Sequence, residues 1–313
     1  MSGDANINAI SFMGIEPQYT ELDKSRFVVL PVPYEQTTSY KKGTRFGPGA
    51  LIDASCQVEL MDEELMQDTY KVGIHTLPPF PINKDPAVFI RELSDYTRRF
   101  LDKGKFVITL GGEHTVTAGT IIPYAKKYPK LSVFHIDAHP DLRNEYEGSI
   151  YNHACALRRV LDYAPIVQVG IRCITPEEVE IINSGRVKTF FAHSYKSVKE
   201  IIPSVLKTLS DDVYITIDLD GLDPSIMPGV GTPVPGGLMW YDTLEILREI
   251  IYKKNVVGAD VMELCPLQDN VLSEFTAAKL TYKIMGYVVK SGETRANKRG
   301  DKVARKVRSA VRK

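Results

Sequence analysis

Eight short, almost continuously apolar runs recur along the chain, separated by longer amphipathic stretches, and this alternation limits the fold more than any other feature. They lie near 27–32 (FVVLPV), 71–75, 106–110 (FVITL), 131–136 (LSVFHI), 166–170 (IVQVG), 187–191, 213–217 (VYITI) and 256–261. Runs apolar on both faces suit parallel strands covered by helices on each side. Helical patterns fall near 153–162, 176–184, 197–209, 241–253 and 273–288, and the clearest follows Asp85-Pro86. There Asp is the cap and Pro takes the first helical position; Phe89, Leu93, Tyr96 and Phe100 share a face, and Gly104 ends the pattern. Strand–helix alternation predicts a doubly wound sheet between helical layers. No internal repeat or linker divides it, so residues 1–290 read as one domain and 291–313 as a basic extension.

Composition removes several classes. At 43% hydrophobic and 25% charged, the 313 residues can bury a large core, which excludes disordered and disulfide-scaffold proteins. No apolar run reaches the ~18 residues of a membrane span, and the start MSGDANINAISFMG lacks the pattern of a secretory signal. Four scattered cysteines (Cys56, Cys155, Cys173, Cys265) read as reduced thiols, so a cytoplasmic location is expected. The neutral total hides an asymmetry. Ten Lys/Arg against two Asp/Glu between Lys290 and Lys313 leave 29 against 37 over residues 1–289. An acidic body argues against general nucleic-acid binding and suits a cationic ligand. The tail reads as a solvated or subunit-contacting extension, with Asp301 a possible cap for a short helix carrying Val303, Val307 and Val311.

Chemistry gathers where the apolar runs stop. After FVITL comes GGEHT with His114; after LSVFHI comes DAHPD with Asp137, His139 and Asp141. After VYITI comes DLD with Asp218 and Asp220, and the last run leads into MELCP with Glu263. Ligands of open parallel sheets sit beyond the carboxyl ends of strands. In extended chain, residues two apart project to one side, so the 137/139/141 trio and the 218/220 pair are expected to converge. A lone D-x-H or D-x-D is common, and an Asp at a strand end is often only a helix cap. Three such clusters at one edge are another matter. Four carboxylates there would repel unless neutralised, and two divalent cations would neutralise them. A set of four Asp and two His suits a hard to borderline metal such as Mn²⁺. Neither phosphate-binding glycine fingerprint is present.

These segments, GGEHT, HIDAHPD and ITIDLDGLDPSIMPGVGTPVPGG, resemble the signatures of the ureohydrolases, the family of arginase and agmatinase. The resemblance runs from about Tyr40 to Cys265-Pro266 and implies a single three-layer αβα sandwich on a mostly parallel eight-stranded sheet. It implies two Mn²⁺ per subunit, one held by His114, Asp137, Asp141 and Asp218, the other by Asp137, His139, Asp218 and Asp220. It places a proton-shuttling histidine at His153 and a guanidinium-pairing carboxylate at Glu263, and it implies a homotrimer or homohexamer. Two positions depart from the family's habit: Thr216 stands where Ser is frequent, and Ala154 follows His153 where Gly is frequent.

The activity so implied is attack of metal-activated water on a guanidinium carbon, with Asp141 and His153 carrying the proton to the departing amine. The net negative site favours a cationic substrate. Arginases place an asparagine two residues after the last Asp of DAHxD; Arg143 stands there, and DLRNEYEGSIYNHA looks like the agmatinase pattern. The expected reaction is therefore agmatine to putrescine and urea, with arginine or 4-guanidinobutyrate as alternatives. Rival readings are a one-Zn²⁺ amide hydrolase and a binding protein acting through its tail. His75, His193, the cysteines and Trp240 read as packing residues. Tyr40–Ala50 reads as either a tight turn or a border of the site, and the Pro-rich 220–238 stretch as either functional or mobile.

Overall fold

The computed structural model describes the backbone of residues 11–311 and the side chains of residues 11–294. Ten strands form among these residues: β1 Phe27–Val32, β2 Met61–Asp62, β3 Gln67–Asp68, β4 Ile74–Thr76, β5 Phe106–Gly111, β6 Ser132–Ile136, β7 Ile166–Ile171, β8 Val187–Phe191, β9 Asp212–Asp218 and β10 Asn255–Met262. β2 and β3 make a small antiparallel ribbon; the other eight form one sheet in the order β4-β1-β5-β10-β9-β6-β7-β8, with every pairing parallel. All eight expected runs are strands. The second is displaced, because 69–72 coils into a 3₁₀ turn before β4 starts.

Eight α-helices are found among the described residues: α1 Gly47–Ser55, α2 Pro86–Asp102, α3 Val116–Lys127, α4 Ala156–Val160, α5 Pro176–Asn183, α6 Val198–Thr208, α7 Trp240–Lys253 and α8 Leu272–Val311. α2 starts as its sequence dictates, with the Asp85 carboxylate accepting the Ala87 and Val88 amides. α1, α6, α7 and α8 pack on one face of the sheet; α2, α3, α4 and α5 pack on the other. Side chains of β1 alternate between the layers, Phe27 and Val29 to the first, Val28, Leu30 and Val32 to the second. The αβα sandwich is as expected.

Three helices depart from the sequence reading, and the β2–β3 ribbon has no counterpart in it. α3 is buried on nearly every side, from Val116 to Ile121, so it carries no polar stripe to mark it, and it contains Pro123. α1 begins inside the Gly/Pro stretch, with Pro48 in its first turn, where a tight turn was one expectation. α8 runs on to Val311, so no new helix starts at Asp301. No helix among the described residues is long and apolar enough to cross a membrane.

Candidate active site

Four adjacent strands in the middle of the sheet, β5-β10-β9-β6, deliver the candidate residues at their carboxyl ends. Beyond β5 the chain passes under Tyr34 so tightly that a Cβ on Gly112 would lie 2.0 Å from the Tyr34 carbonyl oxygen. Glycine there lets the backbone turn and aim His114 inward. The His114 amide donates to Glu263 Oε1 at 2.7 Å, and its Nε2 meets Thr216 Oγ1 at 3.0 Å. Its Nδ1 lies 3.3 Å from Asp137 Oδ2, 3.1 Å from Asp141 Oδ2 and 3.3 Å from Asp218 Oδ2.

The aspartates do converge, but not by extended alternation. β6 ends at Ile136, and Asp137–Asp141 is a turn in which Asp141 has φ 53°. Asp137 Oδ1 accepts the His139 amide at 2.6 Å, which curls the segment back on itself. Likewise β9 ends at Asp218, whose Oδ1 accepts the Asp220 amide at 2.9 Å and starts a 3₁₀ turn. Gly221 closes that turn against β6, where a Cβ would meet Asp137 N at 2.7 Å. His139 Nδ1 then lies 3.0 Å from Asp220 Oδ2 and 3.6 Å from Asp137 Oδ1. Glu263, just past β10, also has positive φ, 68°. Left-handed backbone at two non-glycine residues costs of order 1–3 kcal/mol each and clusters at functional sites.

Charge is the dominant fact here. Burial raises the Asp218 and Asp220 carboxyls, and neighbouring carboxylates raise them further. Glu263 is pushed well up by burial and by the charges of Asp218 and Glu113. Burial also opposes ionisation of Asp137, but the charge of His135 and hydrogen bonds from His114, His135 and His139 hold it well down. Among the described residues, no Lys or Arg forms an ion pair with these four aspartates. His114 Nδ1 is fully buried and makes no hydrogen bond, although three carboxylate oxygens surround it. One proton cannot point at three acceptors, whereas one divalent cation can be shared by all four groups. The ligand atoms fall accordingly into His114, Asp137, Asp141, Asp218 and into Asp137, His139, Asp220, each set within 4.8 Å. The donor set fits metal ions. Asp218 belongs to the first set and is not grouped with the second.

His139, Asp141, Asp218 and Asp220 line a cavity of about 150 Å³ that also takes in Arg143, His153 and Glu263, with His114 and Asp137 fully buried beside them. The 35–46 segment forms one wall through Thr38, Ser39, Tyr40 and Lys41, so Tyr40–Ala50 does border the site. Gly231 and Thr232 form another, and Thr232 Oγ1 donates to Asp220 Oδ2 at 3.1 Å. The 220–238 stretch is therefore a built wall. Arg172 donates to the carbonyls of Asp220 and Val234, and Asp223 accepts the Gly236 and Gly237 amides. Two further residues escaped the sequence reading. His135 Nε2 lies 2.8 Å from Asp137 Oδ2, and the Gln168 amide holds its Nδ1 at 3.1 Å. His135 sits in the HIDAHPD segment itself; Gln168, one strand away, carries no local signal. His75 and His193 stay outside: His75 bonds the Thr20 carbonyl and His193 stacks on Phe191.

The family model of the arginase family matches residues 25–286. The N(1)-aminopropylagmatine ureohydrolase of Synechocystis sp. is 43% identical over 269 residues, covering 83% of this chain and 88% of that protein. The agmatinase of Bacillus anthracis is 34% identical over 260 residues, covering 80% and 88%. Among solved structures, the agmatine ureohydrolase of Thermoplasma volcanium superposes with a TM-score of 0.81 at 30% identity, covering 88% of this chain and 94% of that one.

Proposed function

Because the chain belongs to the arginase family, we propose that it releases urea from a decarboxylated, cationic guanidino amine, N(1)-aminopropylagmatine or its shorter parent agmatine. The observation that carries this reading is the four-aspartate, two-histidine cluster with Glu263 in the same cavity. The sequence favoured agmatine. The higher identity to the Synechocystis protein than to the Bacillus anthracis agmatinase supports the aminopropyl derivative as the preferred substrate.

His114, Asp137, Asp141 and Asp218 would hold one divalent ion, and Asp137, His139 and Asp220 a second, with Mn²⁺ the metal their oxygen-rich chemistry suits. Bound there, such ions activate water for attack near neutral pH. Glu263 orients the planar guanidinium so that its carbon faces the nucleophile. Asp141 takes the proton that the attacking water loses, and His153 hands one to the departing amine nitrogen as the C–N bond breaks. Urea and a primary amine leave. A homotrimer or homohexamer belongs to the same reading and is checked by light scattering.

A second reading has one observation in its favour: Lys41 and Arg143 both line the cavity, and two cations there suit a substrate whose far end is a carboxylate, such as 4-guanidinobutyrate. Parallel assays of the metal-loaded protein with N(1)-aminopropylagmatine, agmatine, 4-guanidinobutyrate and arginine, scored as urea released, separate the two. A kcat/KM highest for an amine-ended substrate supports the first reading. Preference for the guanidino acid supports the second, and no urea from any of the four overturns both.

A further inference from the structure

Glu113 lies between the glycines and His114 of GGEHT, is fully buried, and spends its carboxylate on the 36–37 segment and Thr115. Its Oε2 accepts the Gln36 and Thr37 amides at 2.6 and 2.7 Å; its Oε1 accepts the Thr37 and Thr115 hydroxyls, both at 2.6 Å. An ionised carboxylate only accepts, so the single proton of Thr37 Oγ1 is committed to Glu113. What Thr37 turns toward His153 is therefore lone pairs. One receives the His153 amide at 3.0 Å, and the other faces Nδ1 at 3.3 Å. Two acceptors cannot bond each other, so Nδ1 must carry the ring hydrogen. In the neutral ring that leaves Nε2 bare, 3.3 Å from the exposed Ser39 Oγ, which can donate to it.

We propose that Glu113 and Thr37 are positioning residues that lock His153 in its Nδ1–H tautomer, making Nε2 the atom that gains and gives up the catalytic proton. This deepens the assignment of His153 as proton carrier and rests on it. When Nε2 is protonated, Nδ1–H stays on Thr37, whose own proton stays on Glu113, so the buried carboxylate faces the new positive charge across one hydroxyl. The arrangement does for this histidine what a directly bonded carboxylate does in a hydrolytic triad. Ser39, at the cavity wall, connects Nε2 to bulk water for reloading. Glu113→Gln would set an amide donor against two backbone donors and disturb the 35–46 wall, so Thr37 is the cleaner place to test the chain.

The test is a double-mutant cycle on the metal-loaded protein, with metal content per subunit and the circular-dichroism spectrum recorded for each variant. His153→Ala is expected to lower kcat roughly 10²-fold or more, the range of a positioned acid–base group. Thr37→Val is expected to lower kcat about tenfold or more at unchanged metal content, with KM little altered, and Thr37→Ser to restore most of it. In the His153→Ala background, Thr37→Val is expected to cost little more, because both act through one ring. If Thr37→Val costs the same factor with and without His153, the positioning role is overturned while His153 keeps its own. If His153→Ala turns over at the wild-type rate, the proton-carrier assignment falls and the proposal with it. Loss of metal or fold in Thr37→Val, with Thr37→Ser failing to restore kcat, also overturns it by making Thr37 a structural residue.

Discussion

Two acidic clusters among the described residues, one wholly buried and one with only Asp62 buried, are built on opposite plans. One joins the β2–β3 ribbon to α8. Lys283, only 2% exposed, donates to Asp62 Oδ1 at 2.8 Å and lies 3.3 and 3.4 Å from Glu63 and Glu64. Arg248 and the Tyr287 hydroxyl complete the shell of Glu64. Burial opposes the charge of Glu64, but Tyr287, Arg248 and Lys283 outweigh it and hold its carboxyl below the usual range. At the carboxyl edge of the sheet the same chemistry runs the other way. Asp218, Asp220 and Glu263 are pushed up, because burial and like charge act together and, among the described residues, no lysine or arginine forms an ion pair with them. A cluster that serves only to join two elements carries its cations within the chain. The cluster at the strand ends leaves that charge to come from outside, as a site for metal and a cationic substrate requires.

The sharpest way to break this comparison is to remove a carboxylate at the sheet edge. Asp137→Asn is expected to cost more than roughly 10³-fold in urea release, and added metal should not restore it, because the shared ligand itself is gone. Wild-type turnover by that variant would refute the metal-site reading. Next in size, Lys283→Met should destabilise by about 3 kcal/mol in denaturant titration, since it strands the buried Asp62 carboxylate, while turnover per folded molecule stays as it was. Chelation should then act on one cluster only. Stripping the ions should lower stability by about 4 kcal/mol relative to protein at a thousandfold excess over Kd, equally in wild type and in Lys283→Met. A chelator effect that vanishes in the lysine variant would mean the clusters are coupled.

The smallest effect is in pH. Glu63 and Glu64 have depressed carboxyl pKa values: burial raises each, and hydrogen bonds and the nearby cations outweigh it. Groups of that sign stabilise fully above their unfolded value, about 4.3, and lose the contribution as pH falls through the folded value. The gap in stability between wild type and Lys283→Met should therefore narrow as pH is lowered below about 4, followed by denaturant midpoints. A gap that widens on acidification would mean that Lys283 is not what holds these carboxyls down.

Much of the molecule was legible before any coordinates. The eight apolar runs mark strands because a strand buried on both faces has no other composition open to it. Asp85-Pro86 marks a helix start because cap and first turn need those two residues. The three motifs pointed to one sheet edge, and the side chains do meet there, with His153 and Glu263 in the same cavity. Turns, not strand alternation, bring 137–141 and 218–220 together. α3 was missed because a helix buried all round loses the periodic contrast that reveals a helix at all.

The sequence by itself determined the residue types at the strand ends, and so the excess of negative charge that must be answered there. Only the tertiary structure decided which partners those residues have. Thr37 and Glu113 are 76 residues apart, and His153 stands 116 beyond Thr37; Gln168 reaches His135 across a strand pair. Hydrogen bonds reach about 3 Å whatever the separation along the chain, so their partners are fixed by which strands lie side by side, and that order comes from packing the whole sheet.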